Sequence, residues 1–542
     1  METTESSTKK IGIFNANIID GTKQPAYRGH LLVEGERIAK IYPLEETSKL
    51  EQLELNQRID GSDYVLTPGF IDTHSHSDLE IITKDILEPK IRQGVTTEIL
   101  GQDGVSMAPL PIEHIKYWRN NIAGLCGDSD DIDWSYKTIE GYLKIISSTT
   151  TTSNYAYLIP HGNLRMNVVG LENSQPTIEQ LEQMKEIVHE AMQQGCLGLS
   201  TGLIYIPCTY AGEHELIELC KVVADYDGVF VVHQRSEANS ILESMDEIIR
   251  IGLATGVKVH FSHFKICGKK NWNKLDQVIE KLDEASRKGL SVSFDMYPYI
   301  AGSTMLGVIV PPWAHEGGTD KLIMRLKDRK TRNKIIKSIK AVDSDWDNFV
   351  EFAGTNGIYI TNVKSEKNKM LIGKSLNELG EIRGQDPLEA ALDLLVEEEN
   401  HVTMVNFYGS NEHLKTFICR EEMNLCTDGI LVGNPHPRAY GSYPKFISDY
   451  VEKLDLISIE EAIYKMTYKA AKLFGLIDRG IIKEGAYADL LLFDQHQFKH
   501  LGTYLNPRQF PEGLSMVMVN GQIIYNDSYN RTSCGNLLKL KR

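Results

Sequence analysis

Histidines and aspartates recur at the ends of short apolar segments of this chain. His74 and His76 follow the apolar run VLTPGFIDT, and Asp78 comes two residues later. Side chains at positions i and i+2 of an extended strand point the same way, so the two imidazoles are expected to face one point. A surface pair without a ligand can have the same spacing. The pair alone is therefore weak evidence for a metal site.

Three further residues extend the pattern. His233 ends the apolar segment GVFVVH, His263 ends KVHFSH, and Asp428 lies in MNLCTDG. Neutral imidazoles and carboxylates are ligands that suit zinc and similar divalent ions. Four histidines and a carboxylate at predicted strand ends favour one metal site over five unrelated structural roles.

Apolar segments that end in polar residues are predicted to be parallel strands. They alternate with helical segments, as in βαβ units. One helical segment, 174–195, has a Ser and a Pro near its start and Gly195 at its end. We expect an α/β fold with a TIM-like (β/α)8 barrel, whose functional residues lie at the carboxyl ends of the strands. The predicted strands are 65–78, 95–104, 154–165, 196–205, 228–237, 258–265, 291–299 and 423–429.

The flanks and one long connection complete the predicted domain organisation. Residues 1–64 and 479–542 carry short alternating apolar runs, and we expect them to form one small β-sandwich domain from both termini. Residues 65–478 are expected to form the barrel. The stretch from about 305 to 420 is too long for one connection and rich in Lys and Glu, which predicts an inserted helical subdomain near the mouth of the site.

The composition disfavours several classes of protein. The 542 residues include 58 basic and 74 acidic side chains, for a formal charge of −16, and no basic block suited to nucleic acid. The chain contains no run of about 18 apolar residues, the length that a membrane-spanning helix requires. The N-terminus has no signal-peptide pattern, and the eight cysteines form no CxxC pair. We expect a cytoplasmic protein with reduced thiols that acts on a small molecule; its oligomeric state stays open.

Several motifs together resemble the N-acyl-D-amino-acid deacylases (D-aminoacylases) of the amidohydrolase superfamily. The resemblance covers nearly the whole chain and is weakest between about 320 and 420. It implies a metal-containing barrel, with one or two divalent ions such as zinc, that hydrolyses the amide bond of N-acyl-D-amino acids. The products would be a carboxylate and a D-amino acid. The motifs include TPGFIDTHSHSD, QGVTTEILGQDGVSMAP, HGNLR, GCLGLSTGLIYIPCTYA, VVHQRSE, DMYPY, AGSTML, TDG, HPRAYGSYP, GAYADLLLFD and VNGQIIY.

The resemblance also implies the residues of the metal site. A Cys in the family motif GNCG supplies a bridging ligand, and this chain has Gly101-Gln102-Asp103-Gly104 instead. A carboxylate is a harder ligand than a thiolate and can also bridge two metal ions. Asp103 therefore either takes the place of the thiolate, with a changed preference for the metal, or does not bind the metal at all. Cys426 is expected to be a small buried side chain and not a replacement ligand. The implied ligands are His74, His76, Asp103, His233, His263 and Asp428.

These residues suffice for a hydrolytic mechanism. A bound divalent ion lowers the pKa of water from about 16 toward about 7 and polarises the scissile carbonyl. Asp428 is expected to take a proton from that metal-activated water and to return it to the leaving amine. Tyr297 is the candidate donor to the developing oxyanion.

Recognition of the substrate carboxylate requires a cation. Lys265, two residues beyond His263, and Arg438 fit by chemistry and by family position. The alternatives are a solvent-facing lysine and a loop-anchoring salt bridge. Tyr205 is a weaker candidate at the pocket edge, and Ser303 is expected to make at most a minor contact.

Other readings of the same residues stay open. Dihydroorotase-like or hydantoinase-like enzymes bridge two metals with a carboxylated lysine on the fourth strand, and CLGLSTGLIY has none. A non-catalytic binding barrel has no need for five metal ligands together. A lyase or racemase on the same barrel is a third alternative.

Overall fold

The computed structural model describes residues 9–83, 88–123, 125–129, 132–149, 151–526, 528–529 and 533–541. The strands among them are β1 (Lys10–Ile18), β2 (Tyr27–Glu34), β3 (Arg37–Pro43), β4 (Gln57–Asp60), β5 (Val65–Pro68), β6 (Phe70–Asp72), β7 (Val95–Leu100), β8 (Asn154–Tyr157), β9 (Ile159–Pro160), β10 (Gly198–Gly202), β11 (Val229–His233), β12 (Lys258–Phe261), β13 (Val292–Met296), β14 (Ala301–Met305), β15 (Ile358–Val363), β16 (Val402–Phe407), β17 (Met423–Leu425), β18 (Leu490–Phe493), β19 (Leu514–Val519), β20 (Gln522–Asn526) and β21 (Ser528–Tyr529).

The α-helices of the described residues are α1 (Thr47–Glu51), α2 (Glu80–Thr83), α3 (Glu88–Ile91), α4 (Ile115–Ile122), α5 (Ile139–Ser148), α6 (His161–Val168), α7 (Ile178–Gln194), α8 (Glu213–Ala224), α9 (Ile241–Thr255), α10 (Leu275–Arg287), α11 (Thr319–Lys327), α12 (Arg329–Ile339), α13 (Phe349–Ala353), α14 (Leu376–Arg383), α15 (Pro387–Glu397), α16 (Asn411–Ile418), α17 (Arg438–Lys445), α18 (Ile459–Met466) and α19 (Tyr468–Leu473).

Parallel strands form the centre of the molecule. They pair in two sheets, of order β6-β7-β8 and β17-β13-β12-β11-β10-β9. Each of the eight predicted segments contains one of these strands, and the third contains both β8 and β9. The pairing of the described strands gives two open sheets and not one closed barrel. The strands are also shorter than predicted, so most of the polar residues at their ends lie in the following turns.

Helix α7 follows the predicted connecting segment. The Thr177 hydroxyl accepts a hydrogen bond from the Gln180 N–H, and the Gln180 side chain accepts one from the Thr177 N–H. This capping box satisfies two backbone donors at the helix start. Gly195 ends the helix with φ of +102°, a conformation that glycine adopts without strain.

Strands from both ends of the chain form a separate, larger sheet. This nine-stranded sheet has the order β21-β20-β19-β18-β5-β1-β2-β3, with β4 paired to β1. The antiparallel pair β5–β18 joins the N-terminal and C-terminal parts. Strand β5 was predicted to begin the first barrel strand, but the chain divides that segment at Gly69, where a Cβ would lie 2.1 Å from the Thr96 hydroxyl.

The segment between about 305 and 420 is not only helical, which differs from the prediction. It carries α11–α16, but β14, β16 and β15 form an antiparallel sheet within and beside it. Ile358, Ile360, Val402 and Met404 of this sheet are fully buried in a separate apolar core. Buried residues at alternate positions are typical of strands, and the Lys and Glu that suggested helices lie mostly on exposed surfaces.

All eight cysteines are free thiols, as predicted, and six of them are buried. Among the described helices, none combines the length and the apolar character that a membrane crossing requires.

Candidate metal centre

The six predicted ligands converge at the carboxyl ends of the parallel strands. All are at most 5% exposed. His74 and His76 follow β6, Asp103 follows β7, and His233 ends β11. His263 and Asp428 lie in the turns after β12 and β17.

Asp103 lies between two groups of these side chains. Its Oδ2 is 3.6 Å from Nε2 of both His74 and His76. Its Oδ1 is 3.6 Å from His263 Nε2 and 4.0 Å from His233 Nδ1. Asp428 completes the first group, with Oδ1 3.2 Å from His76 Nε2. The carboxylate of Asp103 therefore faces imidazoles on both sides.

Several polar atoms of this cluster are buried and lack hydrogen-bond partners in the described structure. They include both ring nitrogens of His74 and Oδ1 of Asp103. Buried polar atoms in folded proteins nearly always have a partner, so unpaired ones at one point require an explanation. Imidazole nitrogens and carboxylate oxygens within 4.8 Å of one another fit the ligand set of a divalent ion.

Turns, not strand alternation, bring the ligands together. Asp103, His263 and Asp428 have φ of +55°, +34° and +46°. Residues other than glycine rarely adopt such a conformation, and it concentrates at functional sites. Both imidazoles face the same carboxylates, as predicted. The reason given for this was wrong, because β6 ends at Asp72 and His74 and His76 do not lie in a strand.

The charges around Asp428 keep it ionised. Burial disfavours its charged form, but Arg438 and His74 outweigh burial and hold the pKa of Asp428 well below its ordinary value. Arg438 Nη1 lies 2.9 Å from Asp428 Oδ2. Burial lowers the pKa of His233 to about 4, so this imidazole is neutral, which is the form that binds metals.

Ten of the eleven predicted site residues line one pocket, and His74 lies fully buried below it. Besides the ligands, the lining includes Tyr205, Lys265, Tyr297, Ser303 and Arg438. Residues distant in sequence thus form one site in which a metal ligand set faces two cations.

Comparison with known proteins identifies the family. Residues 57–525 match the amidohydrolase family, which is more than half of the chain. The chain belongs to the amidohydrolase family. It is 28% identical to the D-aminoacylase of Alcaligenes xylosoxydans xylosoxydans, over 97% of this chain and 96% of that one. It is 29% identical to N-acyl-D-glutamate deacylase of the same organism, over 94% and 92% of the two chains.

A solved structure shows the same fold. It is N-acyl-D-glutamate deacylase from Bordetella bronchiseptica, in complex with zinc and a phosphonate inhibitor that mimics the tetrahedral intermediate. The TM-score is 0.83 at 26% identity, with 98% of this chain and 100% of that one covered. The amidohydrolase therefore has the α/β fold of these deacylases.

Lys265 of this amidohydrolase has a partner that the sequence did not reveal. Its Nζ donates to Glu237 Oε1 at 2.7 Å and to the His263 carbonyl at 2.9 Å. Glu237 also lies 3.2 Å from His263 Nδ1 and lines the pocket. A carboxylate four residues after His233 in VVHQRSE was the available signal. Lys265 thus faces the pocket as a paired cation and not as a solvent-facing lysine.

Arg438 is fully buried and only partly paired. Its Nη2 donates to the Ser303 carbonyl at 3.1 Å, so Ser303 contacts it through the backbone. Its Nε has no hydrogen-bond partner among the described residues. The guanidinium lies over the Tyr297 ring, 4.3 Å from the centroid. Arg438 therefore forms the salt bridge considered as its alternative and still keeps a free donor.

Three tyrosines line the pocket. The hydroxyl of Tyr297 is 2.5 Å from that of Tyr408, a residue that the sequence did not single out. Burial raises the pKa of Tyr297 to about 12, which keeps its proton in place for donation. Tyr205 packs edge-on against His233, with centroids 5.4 Å apart, and its hydroxyl is 3.1 Å from Thr304 Oγ1.

Two other residues lie away from the ligand cluster. Cys426 is buried against Tyr297 and Tyr299. His161 is 2.7 Å from Glu215 and 2.8 Å from Thr201. Neither belongs to the ligand groups found in the described part of the chain.

A buried lysine supports the ligand turns from below. Lys90 Nζ donates to Asp72 Oδ2 at 2.6 Å, to Ser75 Oγ at 2.9 Å and to Thr427 Oγ1 at 2.7 Å. Ser75 lies between His74 and His76, and Thr427 precedes Asp428. This fully buried cation therefore ties together the two turns that carry the first ligand group.

Proposed function

We propose that this amidohydrolase hydrolyses the amide bond of N-acyl-D-amino acids and releases a carboxylate and a D-amino acid. The observation that carries the proposal is the buried cluster of four imidazoles and two carboxylates beside Arg438. The curated relatives are named D-aminoacylase and N-acyl-D-glutamate deacylase, and the D configuration rests on them.

We infer that the donors hold zinc at one or two positions. His74, His76 and Asp428 would form one group, and His233 and His263 the other, with Asp103 shared between them. When bound, the ion lowers the pKa of water and polarises the scissile carbonyl. These two effects are what hydrolysis of an unactivated amide requires.

We assign proton transfer to Asp428. Since Arg438 and His74 keep its carboxylate ionised, it can accept a proton from water. The same group then donates that proton to the departing amine nitrogen. Tyr297, protonated and close to Arg438, is assigned as hydrogen-bond donor to the oxyanion.

We assign the substrate carboxylate to Arg438, with Lys265 as a second cation. The unpartnered, buried Nε of Arg438 supports this assignment, because a carboxylate would satisfy it. Lys265 contributes positive charge, although Glu237 already pairs with it. Tyr205 and Ser303 remain predicted contacts at the pocket edge.

We also infer that the two parallel sheets are parts of one TIM-like barrel. Only Leu158 separates β8 from β9, and its N–H donates to the Leu100 carbonyl at 3.0 Å. At the other edge, Ser75 and Gly429 form an isolated parallel bridge. These contacts support closure of eight strands.

The terminal sheet supports the predicted sandwich, because apolar residues from both ends of the chain share one core. Ile13 and Leu31 pack in the same cluster as Leu490 and Met516. The boundaries 1–64, 65–478 and 479–542 and the cytoplasmic location stay predictions.

The rival reaction types lack a supporting feature. Strand β10, with sequence GLSTG, offers no lysine for carboxylation. The complete ligand set also argues against a non-catalytic barrel.

Hydrolysis of paired N-acetyl-D- and N-acetyl-L-amino acids tests the proposal. The enzyme is purified with zinc, and the same sample is analysed for metal. We expect turnover of D-substrates only, with one or two zinc ions per chain. Turnover of hydantoins or dihydropyrimidines but not of linear amides would overturn it.

A further inference from the structure

A second cavity opens beside the metal pocket. It has a volume of about 330 Å³ and shares Tyr205 and Phe349 with the metal pocket. This volume lies in the range of cavities that hold small-molecule ligands. The two cavities therefore adjoin at these two rings.

The walls of this side cavity are mostly apolar. They come from the turn after β10 and from the segment that follows β14. Ile204, Met305, Val308, Pro312 and Trp313 are among the lining residues. Such walls favour an apolar occupant, because its burial removes hydrocarbon from water.

The polar side chains of the cavity do not favour an anionic occupant. Arg235 is already engaged: its Nε and Nη2 donate to Glu247 at 3.0 and 2.9 Å, and its Nη1 donates to the Thr209 carbonyl at 2.8 Å. Burial lowers the pKa of His315 to about 4, so that imidazole is neutral. Asp347 is acidic and accepts bonds from Ser236 and the Glu237 N–H.

The position of the cavity indicates which part of the substrate enters it. Tyr205 follows β10, whereas Arg438 follows β17, and three strands separate β10 from β17 in the sheet. With the substrate carboxylate at Arg438, as the proposed function has it, the amino acid occupies that side. A trans amide directs the acyl carbons away from the amino-acid Cα. The acyl group then points toward Tyr205.

We propose that the side cavity binds the acyl group of the substrate, and that this group is an apolar chain longer than acetyl. The inference rests on the proposed function, since the carboxylate at Arg438 sets the direction of the substrate. It assigns to Val308 and Trp313 a part in acyl-chain selectivity.

The first test compares N-acetyl and N-hexanoyl derivatives of one D-amino acid. Each buried methylene is worth about fourfold in binding, so full burial of four would be worth about 250-fold, and partial burial should still raise kcat/KM at least about tenfold. Hexanoate should likewise inhibit more strongly than acetate. Equal kcat/KM for the two substrates would overturn the acyl assignment, whereas no hydrolysis of either would overturn the proposed function itself.

The second test fills or opens the cavity. Val308→Trp should lower kcat/KM for the hexanoyl substrate about tenfold and leave the acetyl substrate nearly unchanged. Trp313→Ala, at a side chain that is 43% exposed and therefore tolerant of change, should reduce the preference for hexanoyl. Val342→Trp, at a 77% exposed position of the same segment, is the matched control and should alter neither rate.

A series of N-acetyl-D-amino acids with lengthening side chains completes the design. If Val308→Trp changes selectivity in this series and not in the acyl series, the cavity holds the amino-acid side chain and the proposal is wrong.

Discussion

Replacement of Asp103 tests the geometry of the metal centre most directly. Without its carboxylate, the group of His74, His76 and Asp428 keeps three donors, whereas His233 and His263 keep only each other and Glu237, whose carboxylate is already paired with Lys265. We therefore expect Asp103→Ala to lower the number of bound zinc ions from two toward one if both positions are occupied in the wild type. If only one is occupied, we expect weaker binding.

The size of the effect has a lower bound. Removal of a residue that only supports a metal ligand already costs about 10 to 100-fold in affinity. Loss of a direct ligand should cost at least about 100-fold, or about 2.8 kcal/mol. Asp103→Cys, which restores the family motif at this position, should recover zinc binding, and Asp103→Asn should recover less because it lacks the charge.

The assay is elemental analysis combined with zinc titration against a competing chelator, with circular dichroism to confirm folding. Rates with N-acetyl-D-amino acids are measured on the same samples. An Asp103→Ala protein that folds, binds the same number of zinc ions with the same affinity and retains its rate would refute the bridging position.

Four further predictions follow from the same contacts. Asp428→Asn keeps an oxygen donor beside His74 and His76, so zinc should still bind when it is supplied in excess, although more weakly, while kcat falls about 10² to 10⁴-fold; near-normal kcat would remove Asp428 from proton transfer. Arg438→Lys should raise KM for N-acyl-D-amino acids, since lysine lacks the planar fork; an unchanged KM would place the carboxylate elsewhere. Lys90→Met should lower the free energy of unfolding by about 3 to 5 kcal/mol in urea titrations, because the buried Asp72 carboxylate loses its charged partner and keeps its hydrogen bonds from Thr427. Burial lowers the pKa of His161, but Cys208 and Glu215 outweigh burial and raise it to about 9. The protonated imidazole therefore stabilises the fold by about 3 kcal/mol below about pH 6.5, and this stabilisation is lost as the pH rises through 9. His161→Gln should flatten unfolding free energy between pH 6.5 and 9, and an unchanged slope would count against this role.

The sequence singled out side chains that the structure brings together, but it did not predict the local structure that holds them. Residues such as His233 and Asp428 were recognisable because polar groups after apolar strands are conspicuous. The turns were not, since the positive φ of Asp103, His263 and Asp428 depends on contacts with distant chain segments. Contacts such as Lys265 with Glu237 depend on side-chain placement, which no spacing rule gives.

The inserted segment shows a different limit of sequence reasoning. Its Lys and Glu content suggested helices, but β15 and β16 are short strands, and β16 is buried at five of its six positions and so has no alternating pattern. The side cavity depends on how this segment packs against the turn after β10, so no local pattern could reveal it.

The exchange of a thiolate for Asp103 has a geometric meaning. A bridging thiolate offers a single sulfur atom to both sides, whereas a carboxylate offers two oxygens. In this chain the two oxygens face different groups, Oδ2 toward His74 and His76 and Oδ1 toward His263. The turn is fixed independently of the exchanged residue, because Gln102 Nε2 donates to the carbonyls of Thr73 and Ile99 at 2.9 and 3.0 Å. In the proposed ligand set, a bridge of two oxygens would therefore replace a bridge of one sulfur without a change in the surrounding fold, and it would lack the softness of the thiolate that favours zinc.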